Sequence, residues 1–139
     1  MKITLSGEDA LQHEIVQMLK TSLIPGAIWF AVPNGGKRGI KAAMKMKATG
    51  QRAGVADLII IHPETRVAHS LELKVGKNGL QKEQREYRDQ CHAIGAPWAV
   101  ARSRDGAQDI LSDWGLIRIT RFDRPVIEPD TNAPEIPDC

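Results

Sequence analysis

Two acids and a lysine are the residues of this chain best placed to do chemistry. Asp57 begins a run of large apolar residues, Glu72 lies within a second strand-like run, and Lys74 follows two positions later. Strand interiors usually exclude charge, so carboxylates at these points need a physical reason. Two facing carboxylates raise each other's pKa and destabilise a fold unless a cation compensates them. Oxygen-only ligands of this kind suit Mg²⁺ or Mn²⁺ rather than zinc.

The segments around these residues predict a β-hairpin whose register decides whether the charges meet. Residues 55–61 and 67–74 are rich in β-branched side chains, and the turn-forming segment HPETR separates them. A turn centred on residues 64–65 places the two acids directly opposite each other, and one centred on residues 63–64 makes them diagonal neighbours. Both registers keep the acids and Lys74 on one face, within about 5–8 Å at Cβ. A three-residue loop would divide them between the two faces unless a bulge corrected the register.

A third acid and a glutamine border this predicted cluster. Glu14 lies beside the apolar stripe of a first helix, where it either points to water or joins the acids, and Gln84 interrupts the apolar stripe of a later helix. A cation held by the acids would lower the pKa of a bound water and stabilise charge on a phosphorane-like transition state. Lys74 could position that water, and Gln84 could hold the water or a phosphate oxygen. In a purely structural alternative, Asp57 caps the end of a strand, and Glu72 and Lys74 form a cross-strand ion pair.

Charge is distributed unevenly along the chain, although the net charge is only +2. No acidic residue occurs between Glu14 and Asp57, whereas acids outnumber bases five to one after Phe122. The basic residues of the acid-free span are Lys20, Lys37, Arg38, Lys41, Lys45, Lys47 and Arg52. A block of one sign is typical either of a solvated face or of a surface for a polyanionic partner.

The length and composition predict one folded domain over residues 1–122. The chain has 139 residues, of which 42% are hydrophobic and 26% charged, and these fractions are ordinary for a globular protein. No apolar run approaches the roughly 18 residues of a membrane span, and early polar residues argue against a secretory signal. The two cysteines form no CxxC, so we expect neither zinc nor a disulfide framework, and the cytoplasm is the expected compartment. Residues 123–139 are acidic and carry four prolines, which predicts a disordered tail.

Hydrophobic periodicity predicts the element order α-β-α-β-β-α-β-α. The first helix is expected from Ser6, which would form a capping box with Asp9, to about Leu23. Trp29 and Phe30 of a short strand are expected in the core. A helix over residues 38–48 is expected to bury Ile40, Ala43, Met44 and Ala48. The other elements are expected at about 27–32 (strand), 78–94 (helix capped by Asn78 and Gln81), 98–101 (strand), 103–115 (helix) and 116–120 (edge strand).

Taken together, these residues resemble the PD-(D/E)XK nuclease superfamily, and the wider context is similar to its VRR-NUC branch. The resemblance to the superfamily rests on GVAD, followed by ELK and then by a helix that carries a glutamine. The resemblance to the VRR-NUC branch rests on the wider context VPNGGKRG…KATGQRAGVADLIII…LELKVGKNGLQKEQ and covers roughly residues 8–115. It implies a mixed central sheet flanked by helices and metal-dependent hydrolysis of DNA, with branched DNA such as a Holliday junction as a substrate. The short stand-alone members of phages and bacteria are the most similar, which implies a homodimer in a bacterial cytoplasm.

The resemblance also assigns a role to individual residues. Asp57 matches the motif aspartate, Glu72 the second metal-binding acid and Lys74 the catalytic lysine. Gln84 matches the helix glutamine, and Glu14 matches the first-helix acid. The three acids are the implied ligands of Mg²⁺ or Mn²⁺. The chain departs from the motif at Ala56, where the namesake proline would stand. Proline there shapes the backbone and does no chemistry, so the departure leaves the catalytic set complete.

The acid-free block supplies the expected contacts to the DNA backbone. The residues expected to touch DNA are Asn34, Gly35, Lys37, Arg38, Lys41, Lys45, Arg52 and Lys77. The glycine among them has an equally good alternative explanation, because a turn needs glycine whether or not it contacts DNA. A rival function is a DNA-binding module that keeps a nuclease scaffold without catalysis, and such a module would lack a member of the acid–acid–lysine set. A small-molecule metal enzyme or a structural protein would not need the basic block.

Overall fold

The protein is described by a computed structural model over residues 3–33 and 39–118. Its elements are α1 (Gly7–Ser22), β1 (Ile28–Ala31), α2 (Ile40–Ala48), β2 (Leu58–Ile61), β3 (Ala68–Leu73), α3 (Lys82–Ala93), β4 (Trp98–Ala101) and α4 (Arg104–Asp113). This order confirms the predicted α/β fold with a mixed sheet. None of the helices within these two ranges is long and apolar enough to cross a membrane.

The sheet has the strand order β1-β2-β3-β4. The first three strands are antiparallel neighbours, whereas β4 lies parallel to β3 after the crossover through α3. In the hairpin of β2 and β3, Leu58 lies opposite Leu71. This is the register predicted for a turn centred on residues 64–65, and its continuation brings Asp57 opposite Glu72.

The hydrophobic core lies on one face of the sheet, where α1 and α4 pack. The core residues of β2, β3 and α1 are Leu58, Ile60, Leu71, Leu73, Leu11, Ile15, Met18 and Leu19. Their spacing is two along the strands and three or four along the helix, as burial of one face requires. Because successive strand side chains point to opposite faces, Ser70 and Glu72 of β3 lie on the face away from this core. That second face is the one that α3 covers.

The capping predicted for two helices differs from the structure. Ser6 is the N-cap residue of α1, but its side chain makes no capping hydrogen bond. The helix α3 begins at Lys82 with Gln81 as its N-cap residue. Asn78 does not cap it, because the Asn78 backbone N–H donates to the Val75 carbonyl in a turn that precedes the helix.

Two predicted assignments to the core are wrong. Phe30 lies on the edge strand β1 and is 47% exposed, whereas Trp29 packs against the core as expected. No residue of α2 is buried, and Ile40 and Met44 are 81% and 65% exposed. The reason is that α2 packs against no other helix or strand in the described parts of the chain.

The chain after α4 contributes two further core residues. Leu116 and Ile117 are buried, and Ile117 forms an isolated antiparallel bridge with Leu23. The remainder of the edge strand predicted for 116–120, and the tail predicted to be disordered, extend beyond residue 118 and lie outside the described residues.

Candidate active site

Two charged residues of the β3 strand and its end are buried on the face opposite the core. Glu72 and Lys74 are only 2% and 5% exposed, and they alternate with Leu71 and Leu73 of the core. A buried charge is costly unless a partner of opposite charge or a hydrogen bond compensates it. The surroundings of these two side chains must therefore supply that compensation.

Asp57 faces Glu72 across the hairpin and is held in place by the backbone. Its carbonyl oxygen accepts from the Val32 backbone N–H at 2.9 Å, which ties it to β1. Its carboxylate Oδ2 accepts from the Leu73 backbone N–H at 2.8 Å. The register therefore brings the two predicted acids together, and a fixed hydrogen bond orients the Asp57 carboxylate beside Glu72.

The electrostatics of the site centre on Glu72. The pKa of Glu72 is raised from 4.5 to about 8, mainly by burial and in addition by the charge of Asp57, a hydrogen bond between the two carboxyl groups and the charge of Glu8. Lys74 acts in the opposite sense and lowers it. The folded protein therefore holds a proton on Glu72 at neutral pH that the unfolded chain has released. As pH rises from about 4.5 to about 8, this group makes the free energy of unfolding smaller.

Gln84 links the buried acid to the start of α3. Its side-chain Nε2 donates to Glu72 Oε1 at 3.0 Å, and its Oε1 accepts from the Gln81 backbone N–H at 2.8 Å. The second bond is half of a capping box in which the Gln81 side chain in turn accepts from the Gln84 backbone N–H. One N–H of the Gln84 amide thus orients Glu72, and the predicted role of Gln84 in holding a water or a phosphate oxygen stays a prediction.

A close backbone contact fixes the segment that leads to Asp57. Gly54 has a φ of +86°, and a Cβ atom at this position would overlap the carbonyl group of Glu83 and lie 2.7 Å from the Gln84 backbone nitrogen. Only glycine allows the chain to approach the first turn of α3 so closely. The contact therefore sets the separation between Asp57 on one element and Gln84 on the other.

These residues open onto a cavity of about 560 Å³. It is lined by Glu8, Ala53, Gly54, Val55, Asp57, Glu72, Lys74, Asn78, Gly79, Gln81, Glu83 and Gln84. Four of the five predicted catalytic residues are thus brought together. Eight of the twelve lining residues are polar or charged, which suits a hydrated or phosphorylated ligand.

The fifth predicted residue, Glu14, does not meet the other four around this cavity. It is exposed on α1 and does not line the cavity. Glu8, in the first turn of the same helix, lines it instead and acts electrostatically on Glu72. The signal was available in the sequence, because Glu8 precedes Leu11 and Ile15 by three and seven residues and so shares their side of the helix.

The donor set fits a hard divalent cation that keeps most of its water. Among the described residues, no group of three or more His, Cys, Asp or Glu side chains is arranged to surround an ion. The available donors are the carboxylates of Asp57 and Glu72, with Glu8 on the cavity wall. Magnesium is typically held by one or two carboxylates and several waters, so this set suits Mg²⁺ or Mn²⁺ and is unsuitable for zinc.

The loop after β3 is held against the cavity by an arginine that no sequence pattern identified. Arg102 Nη1 donates to the Asn78 carbonyl at 2.9 Å and to the Gly76 carbonyl at 3.3 Å. Asn78 and Gly79 of this loop line the cavity, and Lys77 between the two anchored carbonyls is exposed. Arg102 therefore positions one wall of the site from the end of β4.

The residues predicted to contact DNA fall into three groups. Lys41 and Lys45 are exposed on α2, and Lys77 is exposed near the cavity. Arg52 is exposed, but its guanidinium donates to Gln90 Oε1 at 2.8 Å and lies 5.5 Å from the centre of the Tyr87 ring. These contacts fasten the segment before Asp57 to α3. Asn34, Gly35, Lys37 and Arg38 lie outside the described residues.

The comparisons with known proteins identify the family and the fold. A family model described as "VRR-NUC domain" matches residues 5–105. The chain belongs to the VRR-NUC family. A solved structure described as "VRR_NUC domain protein" superposes on this VRR-NUC chain with a TM-score of 0.55 at 20% sequence identity, covering 81% of this chain and 90% of that one. A likeness at this identity shows the fold, and no curated protein matches the chain.

The close contact at Gly54 of this VRR-NUC domain gives a testable prediction. Gly54→Ala should lower the free energy of unfolding by about 1–3 kcal/mol from its strained φ, and by more from the overlap with Glu83. Gly50→Ala is the matched control, because Gly50 has a φ of +96° but an added Cβ would meet nothing within 4 Å. Urea denaturation of both variants measures the difference. Equal losses of stability would show that the segment can move away from α3 at no cost.

Proposed function

We propose that this VRR-NUC protein is a metal-dependent nuclease that hydrolyses phosphodiester bonds in DNA. The observation that carries the proposal is the position of Asp57 directly opposite Glu72, with Lys74 buried on the same face and all three lining one cavity. Facing carboxylates are electrostatically unfavourable for folding, and a site that binds a cation gives that arrangement a purpose. The family relationship supports the same reaction class.

Each residue of the site has a distinct role in this proposal. Asp57 and Glu72 would hold Mg²⁺ or Mn²⁺, which when bound lowers the pKa of a water and stabilises negative charge on phosphate oxygens. Lys74 positions the attacking water and offsets charge on the phosphate. Gln84 fixes the orientation of the Glu72 carboxylate through its 3.0 Å hydrogen bond. Glu8 takes the part of the first-helix acid that the resemblance had assigned to Glu14.

The proposed chemistry predicts which substitutions stop cleavage. Asp57→Asn and Glu72→Gln should each lower the rate of DNA cleavage by about 100-fold or more, because each removes a cation-binding charge while leaving the site less repulsive to phosphate. DNA affinity should be largely retained in both. Lys74→Ala should also lower the rate strongly. The assay uses end-labelled DNA with Mg²⁺, Mn²⁺ or EDTA, and Glu64→Gln in the exposed hairpin turn is the control.

A matched pair of variants tests the assignment of the first-helix acid. Glu8→Gln should lower the cleavage rate, whereas Glu14→Gln on the same helix should not. Loss of cleavage in Glu14→Gln but not in Glu8→Gln would instead support Glu14 as the first-helix acid, as the resemblance implies. Cleavage that persists in Asp57→Asn and Glu72→Gln, or wild-type protein that binds DNA but never cuts it, would leave a DNA-binding module as the function.

The substrate class and the assembly state are part of the same proposal. One site of this kind cuts one strand, so resolving a four-way junction takes two opposed cuts, most simply made by two copies related by a twofold axis. The strand β1 lies at an edge of the described sheet and exposes Ile28 and Phe30, which supply apolar surface for such an interface. We therefore propose a homodimer that acts on branched DNA.

Two measurements check the dimer. Light scattering coupled to size exclusion should give twice the mass of the 15.3 kDa chain. Cleavage of a four-way junction with each strand labelled in turn should give nicks on two opposing strands. A monomer that nicks one strand and leaves the opposing strand intact would contradict the proposed assembly, whereas the nuclease assignment would stand.

A further inference from the structure

We propose that α2 recognises branched DNA through an apolar stripe, with Ile40 and Met44 covering unstacked bases and the neighbouring lysines binding phosphates. This inference rests on the proposed nuclease function and deepens it. The element that distinguishes a branch point from a linear duplex is then α2, whose residues lie outside the cavity.

The first observation is that the apolar side of α2 is exposed. Ile40 and Met44 lie four residues apart, and therefore on the same side of the helix, and they are 81% and 65% exposed. Their sequence pattern predicted burial. No other helix or strand of the described residues packs against α2, so nothing within this part of the chain covers the stripe. Neighbouring exposed apolar side chains offer contact surface to a partner.

The second observation is the charge beside the stripe. Lys41 and Lys45 also lie four residues apart and adjoin it on one side, and Lys47 follows at its end. The helix has no acidic residue, and none occurs between Glu14 and Asp57. The stripe is therefore accompanied only by positive charge, which complements a polyanion.

A second copy of this chain fits this surface poorly. In a twofold interface the same patch meets itself, which would bring two sets of lysines and no acidic residue of α2 into one interface. The surface is also small, because a nine-residue helix is only about 13 Å long, whereas a stable interface buries roughly 800 Å² on each partner. Nucleic acid meets the charge requirement and needs only a local apolar contact.

The apolar side chains select the form of DNA. A stacked duplex presents phosphates and sugars on its outside and hides the faces of its bases, so lysines bind it without discrimination. A branch point or an unpaired step exposes base faces, which apolar side chains can cover or wedge apart. Ile40 and Met44 therefore contribute to binding only where bases are unstacked, whereas Lys41 and Lys45 contribute to every DNA.

The experiment separates these two contributions. Fluorescence anisotropy, in EDTA to prevent cleavage and over a range of salt concentrations, measures the affinity for a four-way junction and for a linear duplex of the same arm sequence. The double variant Ile40→Gln, Met44→Gln keeps good helix-forming residues on α2. Ile94→Gln is the matched control, because Ile94 is 82% exposed at the end of α3 and has no lysine beside it.

We expect the double Gln variant to lose about tenfold in junction affinity and much less in duplex affinity, with an unchanged salt slope. Lys41→Ala with Lys45→Ala should instead weaken binding to both DNAs and reduce the salt slope by about one to two. The Ile94→Gln control should bind both DNAs like the wild type.

Three results would overturn the inference. They are an unchanged junction affinity in the double Gln variant, an equal loss on junction and duplex, and a shift from dimer to monomer in light scattering, which would assign the stripe to a second copy. Cleavage of the junction by wild-type protein in Mn²⁺ is measured in parallel. Its absence would sink the nuclease proposal, while the anisotropy comparison alone decides the role of α2.

Discussion

The register of the β2–β3 hairpin decides which side chains of these strands enter the core and which line the cavity. With Leu58 opposite Leu71, Asp57 comes opposite Glu72, and the face that carries them lies away from the core. A slip of one residue would exchange the two faces of a strand and put the acids among the leucines of the core. Burial of the apolar face therefore enforces the position of the acids. The same hydrophobic energy that stabilises the sheet holds the two acids together, and the proton on Glu72 relieves their repulsion at neutral pH.

The neighbouring elements are arranged around that unfavourable pair. The amide of Gln84 bridges the Glu72 carboxylate and the N-terminus of α3, so the start of the helix and the orientation of the acid are determined together. Gly54 lets the backbone before Asp57 touch the same first turn. Arg102 fixes the loop that forms another wall of the cavity. Rigid supports of this kind are what a catalytic site needs to keep its groups in place.

Much of this arrangement was predictable because it follows from local patterns. Alternating β-branched residues around HPETR predicted the hairpin and left its register among a few alternatives, which the core then decides. The periodicity of Leu11, Ile15 and Met18 predicted α1. Glu8 was missed because the prediction gave weight to Glu14, which adjoins the apolar stripe midway along α1, whereas only the first turn of the helix reaches the cavity.

Other features depend on contacts that no local pattern encodes. The φ of Gly54 and its contact with Glu83 exist only once α3 has packed on the sheet, and in the sequence this glycine is indistinguishable from a loop residue. The exposure of Ile40 and Met44 could not be predicted either, because here an expected contact is missing from the part of the chain that the structure describes. Their spacing predicts an inner side, but burial requires a neighbouring element, and α2 has none among the described residues.

Asp57 and Glu72 form a site that needs either a proton or a cation to offset the repulsion between the two acids. The most direct test is the free energy of unfolding of the wild type and of Glu72→Gln, measured by urea denaturation between about pH 5 and about pH 8, with Mn²⁺ or with EDTA. In EDTA the wild type should lose stability as pH rises towards the pKa of about 8, Mn²⁺ should offset that loss, and Glu72→Gln should show neither effect. A wild-type stability that is flat with pH in EDTA and unaffected by Mn²⁺ would contradict the account.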